Sequence, residues 1–160
     1  MINLKNTITC LFLLLFNVAN AQKTVEWSMG HLSFDWIEIP KKIEAEAQKI
    51  VIQTAEYDIQ CEKIRKDLIS KNLNCETIRN MAKSLTAQAD FQTMPCKNFK
   101  NTNTEAIYLY SHNEENLSLM AMSTDPSDDK YYLLWFITTA FKSNKLEAEA
   151  LHLFSTLSKK

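Results

Sequence analysis

One glycine, Gly30, serves the whole of this 160-residue chain. Glycine takes positive φ without strain and lets backbone come close to a ligand. Phosphate-cradling loops, nucleophile elbows and dinucleotide-binding turns all need it at fixed places. None of those motifs can be written here, so the enzyme classes built on them are excluded.

The N-terminus has a processing pattern. Lys5 is followed by residues 8–16 (ITCLFLLLF), apolar apart from Thr9, and then by Ala19-Asn20-Ala21. A positive start, an apolar run and a pair of small residues are the parts of a secretory signal peptide. A spanning helix needs about 20 apolar residues, and Asn17 and Asn20 end this run early. Cys10 lies inside the run with no small-residue pair before it, which argues against a lipid anchor. The ending Ala-Asn-Ala-Gln resembles bacterial type I signal peptides, and the resemblance implies a periplasmic or otherwise secreted protein. The expected division is a signal peptide over residues 1–21 and one domain over residues 22–160, with no membrane anchor after cleavage.

The expected mature chain of about 139 residues is enough for one domain with its own core. Without Lys5, 17 of the 18 basic side chains remain against 19 acidic ones, and they are scattered. No basic stripe could neutralise a run of phosphates, so nucleic acid is not an expected partner. The same scatter offers no polybasic membrane patch. No cofactor is implied.

Pro40 suits a first helical position. After it, Ile43, Ala47, Ile50, Thr54, Tyr57, Cys61, Ile64 and Leu68 recur at alternating spacings of four and three, with charged residues between. That pattern predicts an amphipathic helix over residues 40–71, about 40 Å long. Thr54 and Cys61 on the seam favour an intramolecular helix pair over a coiled coil. Asn74 is a candidate N-cap for a second helix, with Cys75, Ile78, Met81, Ala82, Leu85 and Ala89 on one face. Residues 97–104 read as a loop. Residues 106–111, 117–123 and 131–137 then read as extended runs, joined by polar turns at 112–116 and 125–129. Asn144 with Glu147 resembles a capping box and opens a closing helix bearing Leu146, Ala150, Leu153, Phe154 and Leu157. Upstream, Leu32, Phe34 and Trp36 alternate as on a strand. The expected fold is therefore α+β: an antiparallel helix pair, a three-stranded antiparallel meander and a C-terminal helix, with a candidate extra N-terminal strand.

Three cysteines follow the leader. In an oxidising compartment, one disulfide and one free thiol are expected. In a helix hairpin, Cys61 lies about 15 Å along the axis from Cys75, beyond the roughly 7 Å that a bridge spans. The expected pair is Cys61–Cys96 with Cys75 free; Cys75–Cys96 is the second choice. A metal site is not expected, because the spacings of 14 and 21 match no zinc pattern.

Little else suggests chemistry. His112 lies beside Glu114 and Glu115 in an expected turn, His152 lies on the closing helix, and His31 follows Gly30. Asp125, Asp128 and Asp129 lack the ligand spacing of a calcium loop. Cys75 at a helix start could be an activated nucleophile, though nothing places a base beside it. Tyr108 and Tyr110 share one strand face and Ile107 and Leu109 the other. If the aliphatic face meets the helices, Tyr108 and Tyr110, with Trp135 nearby, form an open recognition surface. These readings point to a small exported protein that binds a protein or peptide partner, as inhibitors, immunity proteins and chaperones do. The alternatives are a carrier of a hydrophobic small molecule and, behind it, a cysteine- or histidine-dependent hydrolase.

Overall fold

A computed structural model describes residues 23–69, 72–85, 95–112, 116–140 and 145–160. Ten strands appear among them. Strands β1 (Lys23–Trp27) and β2 (Leu32–Trp36) form a hairpin, extended by β10 (Ser158–Lys159) into a three-stranded sheet. The other seven are β3 (Lys42–Ala45), β4 (Lys49–Gln53), β5 (Tyr57–Arg65), β6 (Cys96–Lys100), β7 (Glu105–His112), β8 (Leu117–Thr124) and β9 (Tyr131–Thr139). They form one sheet in the order β3-β4-β5-β9-β8-β7-β6, with every neighbour antiparallel. Helices α1 (Lys66–Ile69), α2 (Cys75–Leu85) and α3 (Leu146–Thr156) complete the fold.

The expected helix pair is thus overturned. The described part of that segment, residues 40–69, contains three strands and the short α1, because the pattern that governs it has a period of two. Ile50 and Ile52 are buried on β4, as are Tyr57, Ile59 and Cys61 on β5, while Val51, Gln60 and Glu62 face the other way. Residues 50–52 (Ile-Val-Ile) are β-branched, which suits a pleated surface better than a helix. The four-and-three spacing arises because two successive hairpin turns shift the phase of the alternation. Residues 97–104 are not all loop either, since β6 occupies Cys96–Lys100. The three strands of the expected meander are present, but as members of the larger sheet.

Several of the described turns are held by side chains rather than by glycine. Thr54 Oγ1 accepts hydrogen bonds from Tyr57 N at 2.9 Å and Glu56 N at 3.2 Å. Asn101 Oδ1 accepts from Thr104 N at 2.6 Å and Asn103 N at 2.9 Å. Asp125 Oδ1 accepts from Ser127 N at 2.7 Å, and Asp128 Oδ1 from Lys130 N at 2.9 Å. Short polar side chains that hold the backbone two or three residues on are the alternative to glycine in a tight turn.

Both faces of the main sheet carry core. On one face, Tyr57, Ile59, Cys61, Tyr108, Leu119, Ala121, Leu133, Trp135 and Ile137 meet the β1–β2 hairpin and α3. On the other, Ile107, Leu109, Met120, Met122, Tyr132 and Leu134 meet Ile78 and Ala82 of α2. Trp27, Trp36 and Trp135 are fully buried. Phe34 stands edge-on to Trp135 at 5.4 Å, and Trp36 to Tyr57 at 5.4 Å, the arrangement that ring quadrupoles favour. Helix α2 starts where Asn74 Oδ1 accepts Thr77 N at 2.8 Å. Helix α3 has no side-chain cap from Lys145; Asn144 and Ala89 lie outside the described residues, as does the expected signal peptide at 1–21.

The cysteines are paired differently from the first expectation. Cys75 and Cys96 form the disulfide, with Cα atoms 5.9 Å apart, and Cys61 is a buried thiol. The axial distance argument failed with the helix it assumed: Cys61 is on β5 opposite Trp135, on the hairpin-and-α3 face of the sheet. Cys75 opens α2 on the other face, and Cys96 opens β6 there. Closing this loop is worth about 3 kcal/mol in the chain-entropy account.

Gly30 is needed for space rather than for its dihedral freedom. The positive φ belongs to His31, at 57°, a residue type enriched in that region. A Cβ at Gly30 would stand within 3.0 Å of the Trp27 ring, which is locked in the core. Gly30→Ala should therefore destabilise the fold by about 2–3 kcal/mol, read as a lower urea midpoint with unchanged slope.

Candidate functional site

Once β5 is a strand, its inward positions are 57, 59, 61 and 63, and the last of these is a lysine. Lys63 Nζ sits 2.9 Å from Asp125 Oδ2, with the two side chains only 7% and 0% exposed. The ammonium also donates to Ser127 Oγ at 3.0 Å. Ser127 Oγ in turn donates to Asp125 Oδ1 at 2.6 Å, and Gly30 O lies 3.3 Å from it. The rings of Trp27 and Tyr131 lie 5.8 and 5.9 Å from the same ammonium, within range of a cation–π attraction. A buried charge needs this full set of partners to offset lost hydration. The cluster ties together β5, the 125–130 turn and the β1–β2 hairpin.

Next to this anchor an open cleft of about 530 Å³ is lined by Arg65, Lys66, Asp67, Asp129, Lys130 and Tyr131. Arg65 pairs with Asp67 through two hydrogen bonds, and that carboxylate holds the guanidinium above its ordinary range. Lys66 Nζ lies 4.7 Å from the Tyr132 ring, and Lys66 N donates to Lys130 O at 3.0 Å. Both walls are continuous with the buried cluster: Arg65 follows Lys63 by two residues, and Asp129 to Tyr131 close the turn that Asp125 opens. Three cations against two carboxylates leave the cleft positive by one charge.

The residues expected to form a recognition surface are placed elsewhere. Trp135 is fully buried, with Nε1 donating to Ser123 Oγ at 2.8 Å. Tyr108 is 4% exposed, and its hydroxyl donates to Glu147 Oε1 at 2.7 Å. Tyr110 is half-buried against the same core. The tyrosine face meets α3 and the aliphatic face meets α2, so neither is open at these positions. Burial and the bond to Glu147 push the Tyr108 hydroxyl up, while Lys97, then Tyr108, hold Glu147 below its ordinary value.

Cys75, the candidate nucleophile, has a structural role: it is oxidised in the disulfide. Cys61 is buried, and burial first, then Asp125, push its thiol well up, the opposite of an activated thiolate. His31 is exposed, and the His112 side chain lies outside what is described. Among the described residues, no three of His, Cys, Asp and Glu gather as metal ligands. No described helix is long and apolar enough to cross a membrane.

Sequence reasoning missed Lys63, Asp125 and Ser127 as a unit. The available signal was a lysine at an inward position of an alternating strand, which requires a counter-ion. Breaking the pair should be costly: Asp125→Ala is expected to lower stability by about 3–5 kcal/mol, because it leaves a buried ammonium unpaired. Adding Lys63→Met should recover part of that loss, and a double-mutant cycle in urea measures it.

A second buried carboxyl makes stability depend on pH. Glu149 on α3 is 7% exposed. Burial raises its pKa, a hydrogen bond from Tyr57 opposes the shift, and Glu38 and Glu56 add to the rise. Between the ordinary carboxylate value and this raised one, the folded chain keeps a proton that the unfolded chain has lost. Stability from this group therefore declines as pH rises through that window. Glu149→Gln should be more stable than the parent at about pH 7, with the gain gone below about pH 4. Thermal melts across pH check the sign.

No protein-family model matches the chain, and no curated protein matches it.

Proposed function

We propose that this is an exported binding protein that holds an acidic group of a protein or peptide partner in the cleft between Arg65–Asp67 and Asp129–Tyr131. The observation that carries the reading is a net-positive cleft whose two walls continue in sequence from the buried Lys63–Asp125 pair. A site mounted on such an anchor loses little freedom on binding, and preorganisation of this kind improves affinity. Lys66 and Lys130 supply the attraction, the Arg65–Asp67 pair a polar rim, and Tyr131 an aromatic wall. The disulfide Cys75–Cys96 supports placing this activity in an oxidising compartment, the periplasm or the extracellular space. The carrier alternative has less support: where α3 and the hairpin meet the main sheet, Trp27, Phe34, Trp36, Trp135 and Phe154 are fully buried and occupy that layer.

Titration of the 22–160 chain with a hexaglutamate peptide at low salt, followed by amide NMR, tests the site. Shifts should cluster at Lys66, Lys130 and Tyr131, and the Lys66→Glu/Lys130→Glu variant should weaken binding by roughly tenfold or more. A hexalysine peptide should give no shifts there. Equal response to both peptides, or shifts centred elsewhere, would remove the cleft as the binding site.

A further inference from the structure

The main sheet ends on β3, whose outer side pairs with no described strand. Antiparallel ladders alternate between residues that exchange hydrogen bonds with the neighbour and residues whose peptide groups face away. The bond from Glu46 N to Lys49 O, at 2.7 Å, sets that phase. Residues 46, 44 and 42 bond inward to β4, so the N–H and C=O groups of Ile43 and Ala45 face outward. Ile43 is also 46% exposed, although its cross-strand partner Ile52 is fully buried.

We infer that β3 is a homodimerisation edge, pairing antiparallel with β3 of a second copy about a two-fold axis through Ile43. Four registers of self-pairing match outward peptide groups with one another, with the axis at residue 42, 43, 44 or 45. The axis at 42 sets Lys42 opposite Lys42. That at 44 sets Glu44 opposite Glu44, and that at 45 sets Glu44 opposite Glu46. Each of these places like charges in direct opposition, which is destabilising. The axis at Ile43 alone sets Lys42 opposite Glu44, twice. These fall at non-hydrogen-bonded positions, where side chains approach most closely. In the single chain Lys42 and Glu44 already pair along their own strand at 2.6 Å, 58% and 61% exposed, so both are oriented to one face. The two Ile43 side chains meet on the opposite face, extending the row of Ile50 and Ile52, and Ala45 N–H reaches the partner copy's residue 41 carbonyl.

The opposite edge lacks this match. β6 carries Lys97 and Lys100 and no acidic residue of its own, so self-pairing there sets no opposite charges across the seam, and lysine-bearing edge strands resist pairing. The β3 contact covers few residues, well below the roughly 1,200 Å² of a standard interface. It is therefore a weak dimer, formed at concentrations on the order of 100 µM and above.

Sedimentation velocity of the 22–160 chain across that range should show a concentration-dependent monomer–dimer equilibrium. Hydrogen exchange should slow at the Ile43 and Ala45 amides as the dimer forms. Glu44→Lys should raise the dissociation constant by roughly tenfold or more, and Lys42→Glu/Glu44→Lys should restore it to within about threefold. Circular dichroism of each variant establishes that it is folded. A parent that stays monomeric at about 1 mM, or a dimer indifferent to Glu44→Lys, overturns the inference.

Discussion

The nine-residue ladder between β5 and β9 is what makes one sheet of this chain. Tyr57 pairs with Thr139 and Arg65 with Tyr131, at the two ends of an unbroken register. Without it, β3-β4-β5 and β6-β7-β8-β9 would be two separate meanders, each with a bare edge. The ladder sets Cys61 beside Trp135 and Lys63 beside Leu133. It also brings the end of β5 to the start of β9, where Arg65 and Tyr131 become opposite walls of the cleft. The pairing joins residues far apart in sequence, so it incurs a large loop-closure cost before its contacts form. A fold dominated by such pairings should be a slow folder for its size.

A sheet covered on both sides explains how the rest is arranged. The link from β5 to β6 carries α2 across one face, and the disulfide fastens the start of that helix to the edge strand β6. The chain then returns through β7, β8 and β9, and α3 closes the other face. Strand β8 shows the result: its first seven residues, Leu117 to Ser123, are all buried. Helix α3 is in turn held by Tyr108 through Glu147, and Lys97 on β6 bonds the same carboxylate at 2.7 Å. The face expected to be open is therefore the one most heavily tied down.

The parts of this architecture that could be read from the residues are those with clear turn boundaries or a single dominant period. Residues 106–111, 117–123 and 131–137 are apolar-rich runs of strand length between polar turns, and β7, β8 and β9 follow them closely. Leu32, Phe34 and Trp36 alternate and form β2. Asn74 sits where a helix start needs an acceptor. Residues 40–71 carry two periods at once, and the longer one was misleading. Hairpin turns at 46–49 and 54–57 each reset the alternation, which produced an accidental spacing of four and three. The usual glycine or proline markers of those turns are absent, since Thr54 holds its turn with a side chain instead. The cleft was invisible for a different reason: it depends on the long-range pairing of β5 with β9, which no local pattern encodes. The second choice for the disulfide was the correct one, because the first rested on the helix pair.

Scarcity of glycine ties these observations together. With side chains holding the turns, the carboxylate of Asp125 serves two purposes at once. One oxygen fixes its own turn through Ser127, and the other neutralises Lys63 in the core. A glycine turn at this place would free the backbone but leave the lysine without a counter-ion. The lysine, for its part, lies against Trp27, whose ring excludes any side chain larger than hydrogen at residue 30. The one glycine and the one described lysine buried with its counter-ion are thus neighbours through the same indole. Turn, core and cleft wall depend on a single cluster, so substitutions at Gly30, Lys63 and Asp125 should be coupled rather than additive.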